Sequence, residues 1–235
     1  SRVLVAMSGG VDSSVAAALL VEAGHEVVGA TLRTFCYSSG PSHPRSCCGM
    51  EGVSDARRVA SRLGVPHTVV DAEEAFTRDV VEDFVREYAA GRTPNPCVRC
   101  NSFTKFRDLL EVARELGADG IATGHYARLE REPDGPALLR GRDRDKDQAY
   151  FLWGLPPSSV PFLHFPLGDL TKARVRAMAR ERGLVTAYKP ESQEICFVPG
   201  GDYRDLLRVR LAPDHRVFQE GAFVTLDGRE LGRHS

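Results

Sequence analysis

Ser8-Gly9-Gly10-Val11-Asp12-Ser13-Ser14 is the stretch on which the fold turns. An apolar run, Val3-Leu4-Val5-Ala6, precedes it, and a helical pattern from Val15 to Leu20 follows. A buried strand therefore bends sharply into a helix through glycines and hydroxyls. Such a turn suits polyphosphate: glycines admit the backbone to the oxygens, and a helix N-terminus offers unpaired N–H groups and a positive dipole end. Ser8, Ser13 and Ser14 are expected to add hydroxyl donors. Asp12 is out of place at a bare anion site, because a carboxylate repels phosphate unless a cation lies between them; it points to Mg²⁺. The stretch is not a Walker A loop, which needs a lysine before its serine or threonine.

Outward from this turn, strands alternate with helices. Strand 26–32 is followed by a loop from Arg33 to Met50, then by a helix with Val53, Ala56, Val59, Ala60 and Leu63 at helical spacing. Strand 67–70 comes next. A long helix follows, whose stripe of Phe76, Val80, Val81, Phe84, Val85 and Tyr88 reads as core. After a Pro/Cys-rich turn a further helix runs to Leu116, and strand 120–123 ends at Gly124. This alternation predicts an α/β fold, a doubly wound, Rossmann-like parallel sheet, with its ligand at the carboxyl ends of the strands. Ala6 to Ser14, Leu32 and Gly124 should therefore share one crevice. Leu32 is placed to line an adenine pocket, and Gly124 to let backbone approach a nucleotide. Beyond a hairpin around Pro133-Asp134-Gly135, the mixed-charge run 142–148 reads on composition as a solvated surface. Thr171 caps a helix whose Lys172, Arg174, Arg176, Arg180 and Arg182 form either a phosphate-contacting face or a wet one. The tail alternates like a β-hairpin around Asp227-Gly228 and has too few strands to bury itself, so residues 201–235 read as a linker and the start of a second, β-rich domain after a unit spanning 1–200.

The bulk numbers set limits. A 235-residue chain with 42% hydrophobic and 27% charged residues has material for a sizeable core. No apolar run approaches the roughly 18 residues of a membrane span, and no signal peptide precedes the loop, so a cytoplasmic enzyme without a membrane partner is expected. A net charge of −1 requires any RNA partner to be met by local basic clusters. In that setting the six cysteines read as metal, redox or nucleophilic residues before disulfides.

Thr93-Pro94-Asn95-Pro96-Cys97-Val98-Arg99-Cys100-Asn101 is the second informative stretch. Its Cys-x-x-Cys opens a helix, and the helix N-terminus together with Arg99 and Lys105 favours the thiolate. A third cysteine, Cys196, lies in Lys189-Pro190-Glu191-Ser192-Gln193-Glu194-Ile195-Cys196-Phe197. It has no paired cysteine or histidine nearby, which weakens a structural zinc site. Cys36, Cys47 and Cys48 fall in one loop and read as bystanders, a sulfur-relay stop or an adventitious metal site. His125 contacts phosphate or bonds within its own loop. Tyr150, Phe151 and Trp153 stack on RNA bases or, more commonly for such an apolar run, pack in the core.

The first stretch resembles the pyrophosphatase (PP) loop of enzymes that split ATP between its α and β phosphates. With the cysteines, the chain as a whole resembles the tRNA-specific 2-thiouridylase family. The likeness is carried by Met7 to Ser13, Gly91-Arg92-Thr93-Pro94-Asn95-Pro96, Ala122 to Ala127, Lys146-Asp147-Gln148, Ser192-Gln193-x-Ile195-Cys196-Phe197 and Leu231-Gly232-x-His234. Members of that family usually continue through two β-rich domains, so the chain resembles a truncated member. The resemblance implies ATP on Ala6, Met7, Ser8, Gly9, Gly10, Val11, Asp12, Ser13, Leu32 and Gly124, the target base against Asn95, Pro96 and Cys97, and tRNA against Lys146, Asp147 and Gln148. It implies Cys100 as nucleophile and Cys196 as persulfide carrier, thiolation of a wobble uridine, and a cysteine desulfurase or sulfur-relay protein as donor. Many members carry Asp where this chain has Cys97. The substitution opens a second mechanism, a [4Fe-4S] cluster on Cys97, Cys100 and Cys196 that carries the sulfur, and tilts slightly toward it. The rival reading is another PP-loop enzyme, such as an amide-forming ligase.

Overall fold

The structure is a computed structural model that describes residues 1–34, 50–133, 135–191, 195–198 and 201–234. Cys36, Cys47 and Cys48 lie outside the described residues, as do Asp134, Ser192 and Gln193. In chain order, β1 (Arg2–Ala6), α1 (Val11–Glu22), β2 (Glu26–Arg33), α2 (Met50–Leu63) and β3 (His67–Asp71) form the first half. A continuous helical run follows, made of α3 (Glu73–Phe76), a π-helical turn (Thr77–Val81) and α4 (Glu82–Ala89). A second such run comprises α5 (Pro96–Cys100), a π-helical turn (Asn101–Lys105) and α6 (Phe106–Glu115). After them come β4 (Gly120–Ala122), the hairpin β5 (Ala127–Glu132) and β6 (Gly135–Arg140), the short strand β7 (Leu163–His164), and α7 (Lys172–Glu181). The chain closes with α8 (Tyr203–Arg210) and a second hairpin, β8 (Gly221–Val224) and β9 (Glu230–His234).

Five strands form one sheet in the order β3-β2-β1-β4-β7, and every pairing in it is parallel. A parallel sheet is covered on both faces, and β1 shows this directly. Val3 and Val5 face α1, α2 and α7, while Leu4 faces Phe106, Leu109 and Leu152 on the other side. All three β1 residues are fully buried. The order reverses between β1 and β4, so their carboxyl ends open a crevice at the switch point. The predicted α/β class and sheet are thus observed, and so are both hairpins. β7 was missed: two residues, Leu163 and His164, carry no readable alternation.

The stripe on α3 and α4 packs as expected. Phe76, Val80, Val81 and Phe84 are buried in a third cluster, separate from the sheet, that also holds Phe197 and Val198. Phe197 meets Phe76 and Phe84 edge-on, with ring centroids 5.6 and 5.2 Å away. Tyr203 of α8 stacks on Tyr88 at 4.2 Å, which seats the last helix on α4. No described helix is long and apolar enough to cross a membrane.

Candidate active site

The loop after β1 is built from its backbone. Met7 N–H donates to Ala30 at 2.7 Å, and Thr31 Oγ1 donates to the Met7 carbonyl at 2.6 Å, so the strand end is pinned to β2. Gly9 has φ +71°, and a Cβ there would sit 2.1 Å from the Gly52 carbonyl oxygen of α2. Both its conformation and its surroundings therefore demand glycine. Gly10 stands at the N-cap of α1, and no side chain caps that helix.

The serines divide. Ser8 is exposed, whereas the Ser13 and Ser14 hydroxyls donate to the Gly10 carbonyl at 3.2 and 2.7 Å, and Ser13 Oγ also accepts from Ser8 N–H. Ser14 is fully buried, so it shapes the turn and is not a ligand donor. Met7 and Val11 bury their side chains in the core and present backbone only. Gly124 closes on the loop: a Cβ there would lie 2.7 Å from Ser13 N and 2.9 Å from Asp12 C. The close approach that Gly124 permits is thus to the start of α1. Leu32, on neighbouring β2, is half-buried against the second core cluster.

Asp12 is not a lone carboxylate. Lys172 Nζ, from the first turn of α7, lies 2.8 and 2.6 Å from its two oxygens, and Tyr126 Oη donates to Oδ1 at 2.8 Å. Burial and the adjacent Asp12 charge push the Tyr126 hydroxyl well above its ordinary range. Lys172 N–H donates to Asp143 at 2.8 Å, and its ammonium also lies 3.5 Å from Glu191. Glu191 in turn accepts from Lys146 at 2.8 Å and pairs with Arg176 at 3.3 Å. Lys146, and after it Lys172, hold that carboxyl below the usual range against the opposing effect of burial. An ion accompanying a nucleotide meets Asp12 only in competition with Lys172. Neither Lys172 nor Glu191 was singled out from sequence in this role. The basic face expected on α7 is mostly internal pairing: besides Lys172 and Arg176, Arg174 meets Glu181 and Arg182 meets Glu22.

His125 follows Gly124. Its Nδ1 is 2.8 Å from Thr123 Oγ1, and its ring stacks on Phe106 with Phe165 edge-on. Burial first, and Lys105 second, lower its pKa to about 3. The ring is neutral and bonded within its own loop.

The cysteines occupy a different place. Asn95 caps α5 by accepting from Val98 N–H at 3.2 Å, and Pro96 takes the first turn, where its missing N–H costs nothing. Cys97 is exposed and Cys100 is half-buried. Cys100 and Cys196, far apart in sequence, both pack against the Phe76, Phe84 and Phe197 cluster. Arg99, expected to favour the thiolates, donates to the Asp79 carbonyl, pairs with Asp83 at 3.3 Å and lies over the Phe103 ring. Among the described residues, no group of three or more His, Cys, Asp and Glu side chains converges as a metal site.

The 146–148 run is structural in part. Asp147 accepts from Arg140, Gly141 N and Ala149 N, and Gln148 exchanges hydrogen bonds with the Tyr126 backbone. Tyr150 and Trp153 are exposed, which departs from the core reading, while Leu152 between them is buried. Asn101 Nδ2 donates to the Phe151 carbonyl at 3.1 Å, fastening this aromatic segment to the helix that carries Cys97 and Cys100.

A parallel sheet with a glycine-serine turn at its switch point, leading into an uncapped helix, defines an α/β domain of the PP-loop class. The chain belongs to the tRNA methyl transferase HUP domain family, whose model matches residues 1–200. It is 52% identical over 235 residues to the tRNA-specific 2-thiouridylase MnmA of Parvibaculum lavamentivorans, covering 100% of this chain and 58% of that relative. The protein of the same name from Thermus thermophilus is 53% identical over 241 residues, covering 99% of this chain and 63% of the relative. The chain thus spans about three fifths of the length of these relatives. Among solved structures, a 4-thiouridine synthetase–RNA complex with bound ATP superposes with a TM-score of 0.52 at 17% identity, over 80% of this chain and 42% of that one. An NMN synthetase from Francisella tularensis gives 0.50 at 17% identity, over 87% and 71%. Both structures share the fold.

Proposed function

We propose that this chain is the catalytic part of an ATP-dependent tRNA thiolase that converts a wobble uridine to 2-thiouridine. Cys100 and Cys196 on one hydrophobic cluster, in a domain that also carries the PP loop, is the observation that carries this reading. An amide-forming ligase would use the loop and have no need of paired cysteines. The family name speaks of methyl transfer, which needs neither ATP cleavage nor two thiols; sulfur transfer uses both.

In this reading ATP lies against Ala6 to Ser13, with Gly124 and Leu32 at its edge. Mg²⁺ arriving with the nucleotide would offset charge on the polyphosphate. The α1 N-terminus and Lys172 hold the phosphates while uracil O2 attacks the α phosphorus, releasing pyrophosphate and leaving O2 adenylated. Asn95, Pro96 and Cys97 border the base, and Lys146 to Gln148 with Tyr150 and Trp153 border the RNA. Two of those residues, Asp147 and Gln148, contribute by holding the loop in shape.

A donor of the cysteine desulfurase or sulfur-relay class charges Cys196 as Cys196–S–SH. The Cys100 thiolate attacks the Cys196 sulfur; the S–S bond of the persulfide breaks and HS⁻ leaves as Cys100–Cys196 disulfide forms. HS⁻ adds at C2, AMP departs, and C2=S remains. The sulfane sulfur is reduced by two electrons, the two thiols are oxidised, and an external dithiol resets them. The persulfide route is preferred to the cluster alternative because it needs only the two cysteines that share the Phe76, Phe84 and Phe197 cluster. Residues 201–235 are read as a linker and the opening of a β-rich domain, which the exposed Phe223, Val224, Leu226 and Leu231 support.

The test is thiolation of a tRNA transcript with ATP and persulfide donor, read as 2-thiouridine by mass spectrometry. The parent should form it. Cys100→Ser and Cys196→Ser should not, while still releasing pyrophosphate. Full activity in Cys100→Ser sinks the proposal.

A further inference from the structure

Glu191 gathers three cations from two parts of the chain, the 142–148 run and α7. Lys146 Nζ lies 2.8 Å from one oxygen, and Arg176 Nη2 and Lys172 Nζ lie 3.3 and 3.5 Å from the other. Lys172 is the shared member. Its side chain is only 11% exposed, and it lies 2.6 Å from Asp12 inside the loop. An ammonium so far out of water needs its charge matched, and Asp12 and Glu191 match it together. Tyr126 closes the other side, with its ring centroid 5.7 Å from Nζ.

A polyphosphate on the loop brings several negative charges next to both carboxylates. Asp12 belongs to the loop and is fixed by Tyr126. Glu191 belongs to no element of the loop, and it keeps Lys146 and Arg176 whether or not Lys172 stays. We propose that Glu191 is a resident anion that holds Lys172 in reserve and surrenders it to the phosphates of a nucleoside triphosphate. This rests on the reading of the loop as an ATP site. Glu191 then opposes nucleotide binding, and its charge sets how tightly ATP is held. A role confined to propping up the fold would act in the opposite direction, because loss of the ion pairs would loosen the site.

The experiment is calorimetric binding of Mg²⁺–ATP to the full chain and to Glu191→Gln, with tRNA binding measured alongside. Neutralising one partly screened charge near the phosphates should tighten ATP about three- to tenfold, with the gain shrinking at high salt. Glu191→Asp, which keeps the charge, should stay near the parent. Unchanged or weaker ATP binding by Glu191→Gln overturns the proposal, and so does a gain confined to tRNA. A parent chain that binds no ATP removes the functional reading and this inference with it, which separates the two failures. Should Glu191→Gln lose the fold, carboxyl-carbon NMR of Glu191 in the parent decides. ATP should raise its titration midpoint, since Lys172 leaves while Lys146 and Arg176 remain; a midpoint that does not move overturns the proposal.

Discussion

The loop after β1 and the cysteine cluster are assembled by opposite means. The loop is local: a few consecutive residues, closed by glycines at van der Waals limits, with the Ser13 and Ser14 hydroxyls turned inward to the Gly10 carbonyl. The cysteine region is global. Cys100 and Cys196 share one neighbourhood because Phe76, Val80 and Phe84 form a cluster that Phe197 completes and against which both pack. The difference teaches where each region is vulnerable. The loop fails by a single added methyl, whereas the cysteine pair fails when packing loosens and leaves the loop untouched.

The comparison is broken most sharply at the thiols. Cys196→Ser should lower thiolation by at least about a thousandfold, the scale expected when a covalent step is removed. ATP affinity should stay within twofold to threefold, since Cys196 packs against the Phe76, Phe84 and Phe197 cluster whereas Met7 and Val11 of the loop pack in the core of the sheet. A parallel loss of ATP binding would erase the distinction between the regions.

Gly9→Ala should be the most destabilising substitution in the loop, by about 3–5 kcal/mol, from left-handed strain plus overpacking against Gly52. Urea denaturation measures it. A variant as stable as the parent would mean that α2 does not press on the loop.

Phe197→Ala should cost about 3 kcal/mol. In kinetics it should slow sulfur transfer while pyrophosphate release continues, because the lost ring supports the cysteines and not the sheet. Equal loss of both steps would join the two regions into one.

A smaller effect comes from His125. Its folded-state pKa, about 3, lies below that of the unfolded chain, so the folded protein stays neutral where the unfolded chain takes up a proton. Stability is therefore fully present above pH about 6.5 and falls with decreasing pH, by at most about 1.4 kcal/mol per unit from this residue. Urea midpoints between pH 7 and 4.5 should show a flatter slope for His125→Gln than for the parent. Identical slopes would contradict the placement of His125 between Phe106 and Phe165.

Much of the loop was legible because a strand, a turn of glycines and a helix follow one another directly, and β1, β2 and β4 announce themselves by apolar runs. The stripe from Phe76 to Phe84 was legible for the same reason. Lys172 was not, because its role depends on where the N-terminus of α7 lands relative to Asp12; by sequence it is one cation among several on a basic helix. Ser14 misled, since a serine in a phosphate-type loop looks like a donor until the Gly10 carbonyl is seen to accept from it. The pairing of Cys100 with Cys196 came from the family resemblance and not from spacing; their packing on one cluster is visible only in the structure.

The most direct test of the account is a single turnover with Cys196 charged as the persulfide, ATP and a tRNA transcript, run with the parent and with Cys97→Ser. The account predicts that 2-thiouridine appears together with a Cys100–Cys196 disulfide, and that Cys97→Ser retains most of the product. Loss of thiolation in Cys97→Ser, with iron and sulfide bound to the parent and absent from the variant, would contradict it and assign the sulfur to a three-cysteine cluster.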